Sequence, residues 1–433
     1  MIKIISCKKQ NKKISLTRPA LSKNNSIQEK TKEIISEVRL KGDKALFQFT
    51  EKFDQVKLKN LTVSISEIND AEKKINSKEK DAILFAKKQI EKNQFAQLPK
   101  NIMLTVNEGV TCERQARAIQ RVGLYIPGGS APLVSTLLML AVPATLAQCP
   151  EIILCTPPDK KGEINPAILF AANCCGISSI YKIGGAQAIA AMAYGTKTIP
   201  KVNKIFGPGN AWVTQAKILV SENPEGASID LPAGPSELMV IADNEANECF
   251  VAADLLSQAE HGADSQVTLI ALSQSFALNV IREIKKQINN LPRKNIIKKS
   301  LTKSRIILVN TIEQAIEISN AYAPEHLILN CTQPEKYKSL IQNAGAVFLG
   351  AWSPETVGDY VTGSNHILPT YGYARCYSGL SVTDFMKFIS FQTVTLPGLK
   401  IIGKYAEKLA EIETLDAHKN AVSLRLNKGV TDE

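Results

Sequence analysis

The chain has 433 residues, 44% of them apolar, and a formal net charge of +11. That length exceeds one ordinary core and implies at least two large domains, and the apolar content excludes a disordered chain. Nine cysteines, odd in number, irregularly spaced and without a C-x-x-C, argue against a disulfide framework or a cysteine zinc site and fit a reducing cytosol.

The charge is local. Residues 1–100 hold 23 Lys/Arg against 12 Asp/Glu, and the remainder holds 29 of each. Without a recognisable nucleic-acid motif, the basic region reads as a Lys-rich solvated helical surface. The start, MIKIISCKKQNKK, lacks the apolar core of a secretory signal. The most apolar stretch, residues 131–150, carries Pro132 and Pro143 and is too short to span a membrane; it reads as a buried helix and its exit. A cytoplasmic protein with neither nucleic-acid nor membrane partner is expected.

Residues 1–100 read as helical. Ser26-Ile-Gln-Glu29 has capping-box spacing ahead of Ile34, Ile35, Val38 and Leu40, and Gly42 can close that helix. A second helix is expected after Ser77, with Ile83, Leu84, Phe85 and Ile90 on its apolar side. From about residue 120, short apolar strands alternate with helices. The expected strands are 151–155, 179–183, 204–206, 238–242, 267–272, 305–309, 326–330 and 346–350, with helices such as 164–175 and 246–261 between them. This alternation predicts an α/β fold with parallel sheets, divided into two Rossmann-like modules. Strands are expected to stop beyond about 375, where 399–418 reads as one polar-faced helix.

Glycine-rich loops follow several strands: Tyr125–Ser130, Gly184–Gln187, Gly207–Asn210 and Pro232–Ser236. Glycine lets backbone N–H groups approach a phosphate closely. The dinucleotide fingerprint is incomplete, because Trp212 stands where its third glycine would be. Ordinary strand–helix turns explain any one loop more readily, and the clustering of the loops between 125 and 236 carries more information.

Only four histidines are present: His261, His326, His366 and His418. Gln258 and His261 are three apart, on one face of a helix near its C-terminal end. Glu325 and His326 are adjacent and suit proton transfer, although a helix-end histidine beside a solvated glutamate reads as well. Asp359 precedes His366, and Glu413 precedes His418. Imidazole and carboxylate are the donors a borderline metal prefers; their long spacing leaves convergence open. A thiolate mechanism through Cys112, Cys149 or Cys155 has no histidine close in sequence to support it. An RNA-binding role for the basic region would leave the paired polar residues without purpose.

The strings VGLYIPGGSAPLVSTLLMLAVPA, KIGGAQAIAAMAYGT, KVNKIFGPGNAWVTQAK, IDLPAGPSE, DLLSQAEHGADSQV, NAYAPEHL, ETVGDY, GSNHILPT and LDAHKNAVSLRL resemble those of histidinol dehydrogenases, collinearly from about residue 25 to 427. The resemblance implies two successive NAD-dependent oxidations of L-histidinol, through L-histidinaldehyde, to L-histidine, the last step of histidine biosynthesis. It implies a homodimer, one zinc per subunit, two incomplete Rossmann-like modules with N-terminal helices, and a small C-terminal helical segment that reaches into the partner's site. It assigns zinc to Gln258, His261, Asp359 and His418, and acid–base roles to His326 and to Glu325, the latter activating water. Ser236, His366 and Glu413 would hold histidinol with His326 and the zinc ligands; Tyr125, Gln187 and Asn210 would contact NAD. The expected partition is an arm (1–24), a discontinuous α/β domain (25–122 and 237–374), an NAD-contacting domain (123–236) and a C-terminal dimerisation segment (375–433).

Overall fold

The computed structural model describes residues 2–7, 16, 18, 25–128, 132–231 and 234–431. Most of the expected N-terminal arm, and parts of the loops at 129–131 and 232–233, lie outside the described residues. The chain forms two compact units, Met1–Gln97 with Ile119–Phe385, and Leu98–Ala118 with Met386–Glu433.

The first unit carries two all-parallel sheets. One has five strands in the spatial order Ser179–Lys182, Glu151–Thr156, Arg121–Tyr125, Lys204–Phe206, Ser228–Ile229. Numbered along the chain, this is 3-2-1-4-5, the order of a Rossmann fold without its sixth strand. The other sheet repeats it: Arg305–Leu308, Gln266–Ala271, Glu237–Ala242, His326–Asn330, Ala346–Leu349, with Lys3–Ser6 added beside Arg305–Leu308. The fold is α/β with two incomplete Rossmann-like modules.

The strands form here because they are apolar on both faces, as a parallel sheet covered by helices requires. Val240, Leu269 and Ile306 enter one core, while Met239, Ile241, Ile270, Ile307, Leu327 and Leu329 enter the core on the opposite face. In the five-stranded module, Ile34, Ile35 and Val38 of the Asn25–Lys41 helix pack with Ile189, Ile205 and Val213. Helix starts are capped locally. Asn247 accepts from the N–H groups of Cys249 and Phe250, Asn210 from those of Trp212 and Val213, and Asn76 forms a capping box with Glu79. Gly42, at φ 53°, closes the first helix by donating to Val38 O, and the Asp43–Phe53 helix follows.

The eight expected strands are all present. Several other expectations need correction. Residues 1–100 are not wholly helical: Lys3–Ser6 is an edge strand whose partner lies some 300 residues away. Strands continue past 375, since Met386–Val394 pairs antiparallel with Val110–Ala118, which also pairs with Ile102–Asn107. The expected helix 399–418 is two helices, Leu396–Ile412 and Asp416–Thr431, parted by Thr414 at φ 58°. In the Ser77–Ala96 helix only Ile83 and Ile90 of the expected apolar side are buried; Leu84 and Phe85 face outward.

Candidate active site

The acid–base candidates sit where a helix turns into a central strand. The Ile312–Tyr322 helix ends at Ala323 in a left-handed conformation (φ 56°), and Pro324 and Glu325 lead into the His326–Asn330 strand. His326 is thus the first residue of its strand, at the amino edge of the six-stranded sheet. Its parallel neighbour Glu237–Ala242 brings Glu237 to the same edge. Glu325 Oε2 accepts from the Glu237 N–H at 2.7 Å, and His326 Nδ1 lies 3.2 Å from the Glu237 carbonyl.

That second contact determines the proton's place on the ring. A carbonyl only accepts, so Nδ1 carries a hydrogen, and Nε2 is the nitrogen that can gain or lose a proton. Nε2 is buried and has no hydrogen-bond partner. It faces Glu355 Oε1 and Asp359 Oδ1, each at 3.8 Å. Ligand atoms of His326, Glu355 and Asp359 lie within 4.8 Å of one another. Glu355 and Asp359 are four apart on the Glu355–Tyr360 helix and so share a face.

Gln258 is the penultimate residue of the Glu248–Ala259 helix, and His261 lies beyond the helix end. The expectation of one helical face is therefore corrected: a turn, closed by His261 N–H to Gln258 O at 3.3 Å, brings them together. With its amide oriented to satisfy its neighbours, Gln258 accepts from Glu237 N–H (3.1 Å) and donates to Glu355 Oε1 (2.8 Å) and His261 Nδ1 (3.3 Å). Gln258 is fully buried, and His261 is exposed. His366 has both ring nitrogens engaged, Nε2 with Thr136 Oγ1 at 2.9 Å and Nδ1 with Asp359 O at 3.0 Å. Ser236, half-buried, immediately precedes Glu237.

The electrostatics are lopsided. Burial acts to lower the basicity of His326, yet Glu325, Glu355 and Asp359 together raise it above the ordinary imidazole value. Burial, reinforced by Asp359 and Glu325, raises the Glu355 carboxyl despite His326. Burial holds His366 below its ordinary value, in the neutral form. Among the described residues, neither Glu325, Glu355 nor Asp359 is paired with a Lys or Arg. Three carboxylates around one buried imidazole, with an amide and a second imidazole adjoining, suit a divalent cation.

The cofactor candidates lie at the carboxyl end of the other sheet, where strands 1 and 4 of that module part. Tyr125 ends strand 1; it is buried, and its hydroxyl accepts from Gly185 N–H at 3.0 Å. Gly207 follows strand 4 at φ 123°, and a Cβ there would meet Tyr125 O at 2.1 Å. Gln187 is buried in the first turn of the Gly185–Tyr194 helix, and Asn210 is exposed at the start of the Ala211–Ser221 helix. Two helix N-termini and a backbone too tight for any side chain at Gly207 fit a phosphate-bearing cofactor.

Glu413 and His418 belong to the second unit. Both are exposed, at the end of the Leu396–Ile412 helix and in the first turn of the Asp416–Thr431 helix. Cys112 is also on that unit, in the Val110–Ala118 strand. Cys149 and Cys155 are buried, and burial pushes Cys149 up to about 11 and Cys155 higher still, the wrong direction for a thiolate nucleophile. Many N-terminal lysines pair along or between helices, as in Lys41–Glu37, Lys73–Asp70 and Lys87–Glu91.

The sequence reading missed Glu237 and Glu355. Both stand inside the recognised strings IDLPAGPSE and ETVGDY, and the i, i+4 spacing from Asp359 was the signal for Glu355.

The family model for histidinol dehydrogenase matches residues 16–426. The chain belongs to the histidinol dehydrogenase family. It is 51% identical over 419 residues to the histidinol dehydrogenase of Mannheimia succiniciproducens, covering 97% of each chain. It is 53% identical over 412 residues to that of Bacteroides thetaiotaomicron, covering 95% of this chain and 96% of the other. The crystal structure of histidinol dehydrogenase from Elizabethkingia anophelis superposes with a TM-score of 0.94 at 48% identity, over 99% of this chain and 98% of that one. Histidinol dehydrogenases are oxidoreductases. Among the described residues, no helix is long and apolar enough to cross a membrane.

Proposed function

We propose that the chain oxidises L-histidinol to L-histidine through L-histidinaldehyde in two NAD-dependent steps, the last reaction of histidine biosynthesis, in the cytoplasm. The observation that carries this reading is the buried Nε2 of His326, without a hydrogen-bond partner and aimed at a carboxylate cluster, while Nδ1–H is held on the Glu237 carbonyl.

Gln258, His261 and Asp359 would hold zinc, with His418 as the fourth donor that the family resemblance implies, one ion per subunit. Zinc supplies Lewis-acid and templating chemistry, and NAD supplies the hydride acceptor. Tyr125, Gln187 and Asn210, in the module of residues 123–236, are assigned to the cofactor.

His326 takes the hydroxyl proton of histidinol at Nε2 while Nδ1–H stays on the Glu237 carbonyl. Glu325, anchored through Oε2 on the Glu237 N–H, uses its other oxygen to deprotonate a water that adds to the aldehyde. As the hydroxide adds, His326 returns its proton to the aldehyde oxygen, and the freed Nε2 then takes a proton from the resulting hydrate. Ser236, His366 and Glu413 orient the substrate, and His366 also braces the backbone of Asp359. We assign the C-terminal segment, 375–433, to dimerisation and to reaching the partner's site. Its support is the apolar surface that Tyr405, Leu409 and Ile412 expose on one helix.

The test is stoichiometric. Purified protein incubated with histidinol, NAD and zinc is expected to form about two NADH per histidine. A ratio of one with aldehyde accumulating, or no NADH at all, overturns the reading.

A further inference from the structure

The acid–base pair rests on a segment that needs restraint. Ala323 is not glycine, yet it holds a left-handed conformation three residues before His326. The helix before it ends with the carbonyls of Ala321, Tyr322 and Ala323 pointing out of the helix. Two arginines from distant parts of the chain meet them. Arg18 Nη2 donates to Tyr322 O at 2.9 Å and to Ala323 O at 3.1 Å, and Arg375 Nη2 donates to Ala321 O. The Arg18 guanidinium also lies over the Tyr322 ring, 3.8 Å from its centroid.

The same guanidinium grips the neighbouring strand. Its Nε reaches Glu237 Oε1 at 2.5 Å and its Nη2 reaches Glu237 Oε2 at 2.9 Å, and the Glu237 side chain is only 4% exposed. Glu237 is the residue whose N–H holds Glu325 and whose carbonyl holds His326 Nδ1. One planar fork therefore fixes both sides of the acid–base pair: the strand start that orients it and the turn that delivers it. A lysine ammonium cannot span these acceptors in the same plane.

We propose that Arg18 is a positioning residue for this reaction, holding Glu325 and His326 in register through Glu237 and through the turn at Ala323. It touches neither substrate nor cofactor. Its effect falls on the chemical step, and that consequence rests on the reading of His326 as the base.

The test compares full-length Arg18→Met and Arg18→Lys with wild type. Arg18→Met is expected to lose about 100-fold in kcat, the scale of a small misplacement of catalytic groups, with the KM for NAD within about twofold. Arg18→Lys recovers little of the loss, and free guanidinium added to Arg18→Met restores part of it. A folded Arg18→Met with kcat within about twofold of wild type overturns the proposal. If Arg18→Met does not fold, Arg18→Lys decides: wild-type kcat overturns the proposal, and a loss of tenfold or more at unchanged KM for NAD supports it. Because the chain has only four histidines, ¹⁵N-histidine NMR gives a readout independent of turnover, with His326 assigned by His326→Gln. The His326 Nδ1–H resonance is expected in wild type and shifted or lost in Arg18→Lys; an identical resonance in both overturns the positioning role. Wild type that lacks turnover but shows this difference would retire the functional reading and leave the positioning role standing.

Discussion

The two modules share one strand order and use opposite ends of it. In the five-stranded module the candidate site is at the carboxyl end, where the Gly185–Tyr194 and Ala211–Ser221 helices present their N-termini. In the six-stranded module it is at the amino end, where the Glu248–Ala259 and Ile312–Tyr322 helices present their C-termini. A helix N-terminus favours an anion and a C-terminus a cation. Identical topology therefore offers an anion-accepting edge in one module and a cation-accepting edge in the other. The side chains follow suit: glycine and Asn210 at the first, Glu237, Glu325, Glu355 and Asp359 at the second. Fold order alone does not locate chemistry; which end carries it depends on residues at the strand termini.

Four measurements would break or sharpen this contrast. The largest effect is expected at the amino edge. His326→Gln should lower kcat by about 10³-fold or more, and Glu325→Gln should slow aldehyde oxidation about 100-fold while alcohol oxidation falls far less. Steady-state and single-turnover assays of each half-reaction check this, and equal slowing of both by Glu325→Gln contradicts its water-activating role. Next, Asp359→Asn is expected to lower zinc content and activity together; full zinc occupancy by elemental analysis with normal turnover would remove the metal from this edge.

At the carboxyl edge, a buried Lys217–Asp230 ion pair holds both ends of Gly207. Lys217 Nζ donates to Gly207 O at 2.8 Å, and Asp230 Oδ2 accepts from Gly207 N–H at 2.7 Å. Lys217→Met strands the carboxylate, at a cost of about 3–5 kcal/mol measurable by denaturant unfolding. It should raise the KM for NAD about tenfold with the KM for histidinol unchanged. A selective rise in the histidinol KM would mean the two edges are not separate.

The last effect is on stability and its dependence on pH. Burial raises the Asp254 carboxyl to about 7 from an ordinary 3.8. The folded value exceeds the unfolded one, so the stability it contributes is present below about pH 4 and lost as pH rises through 7. Asp254→Asn removes that loss. Relative to wild type it should gain up to about 4 kcal/mol between pH 4 and pH 8, read from unfolding curves at each pH. A constant difference across that range contradicts the shift.

Much of the architecture is legible in the sequence because parallel strands are apolar throughout: LMVIA, VTLIAL and RIILV announce themselves. Strands that lie open to solvent do not. Ile102–Asn107 and Met386–Val394 carry exposed residues on both faces, and Lys3–Ser6 is a four-residue edge whose partner is remote. The ligand-type residues were legible through motif resemblance. Their supports were not, because Arg18, Glu237 and Thr136 act through contacts across 88 to 305 positions in the chain, which no local pattern encodes.

The pairing of Lys3–Ser6 with Arg305–Leu308 also sets an order of assembly. The strands of the five-stranded module come from one continuous stretch, Arg121 to Ile229, and the helix that packs on them, Asn25–Lys41, precedes them, so the module can close while synthesis continues. The N-terminal strand has no partner until about 300 further residues have been made, about 15–60 s at ordinary elongation rates. During that interval Arg18 waits for Glu237 and for the turn at Ala323. On the ribosome the five-stranded module can mature first, and the carboxylate cluster around His326 takes shape only after it.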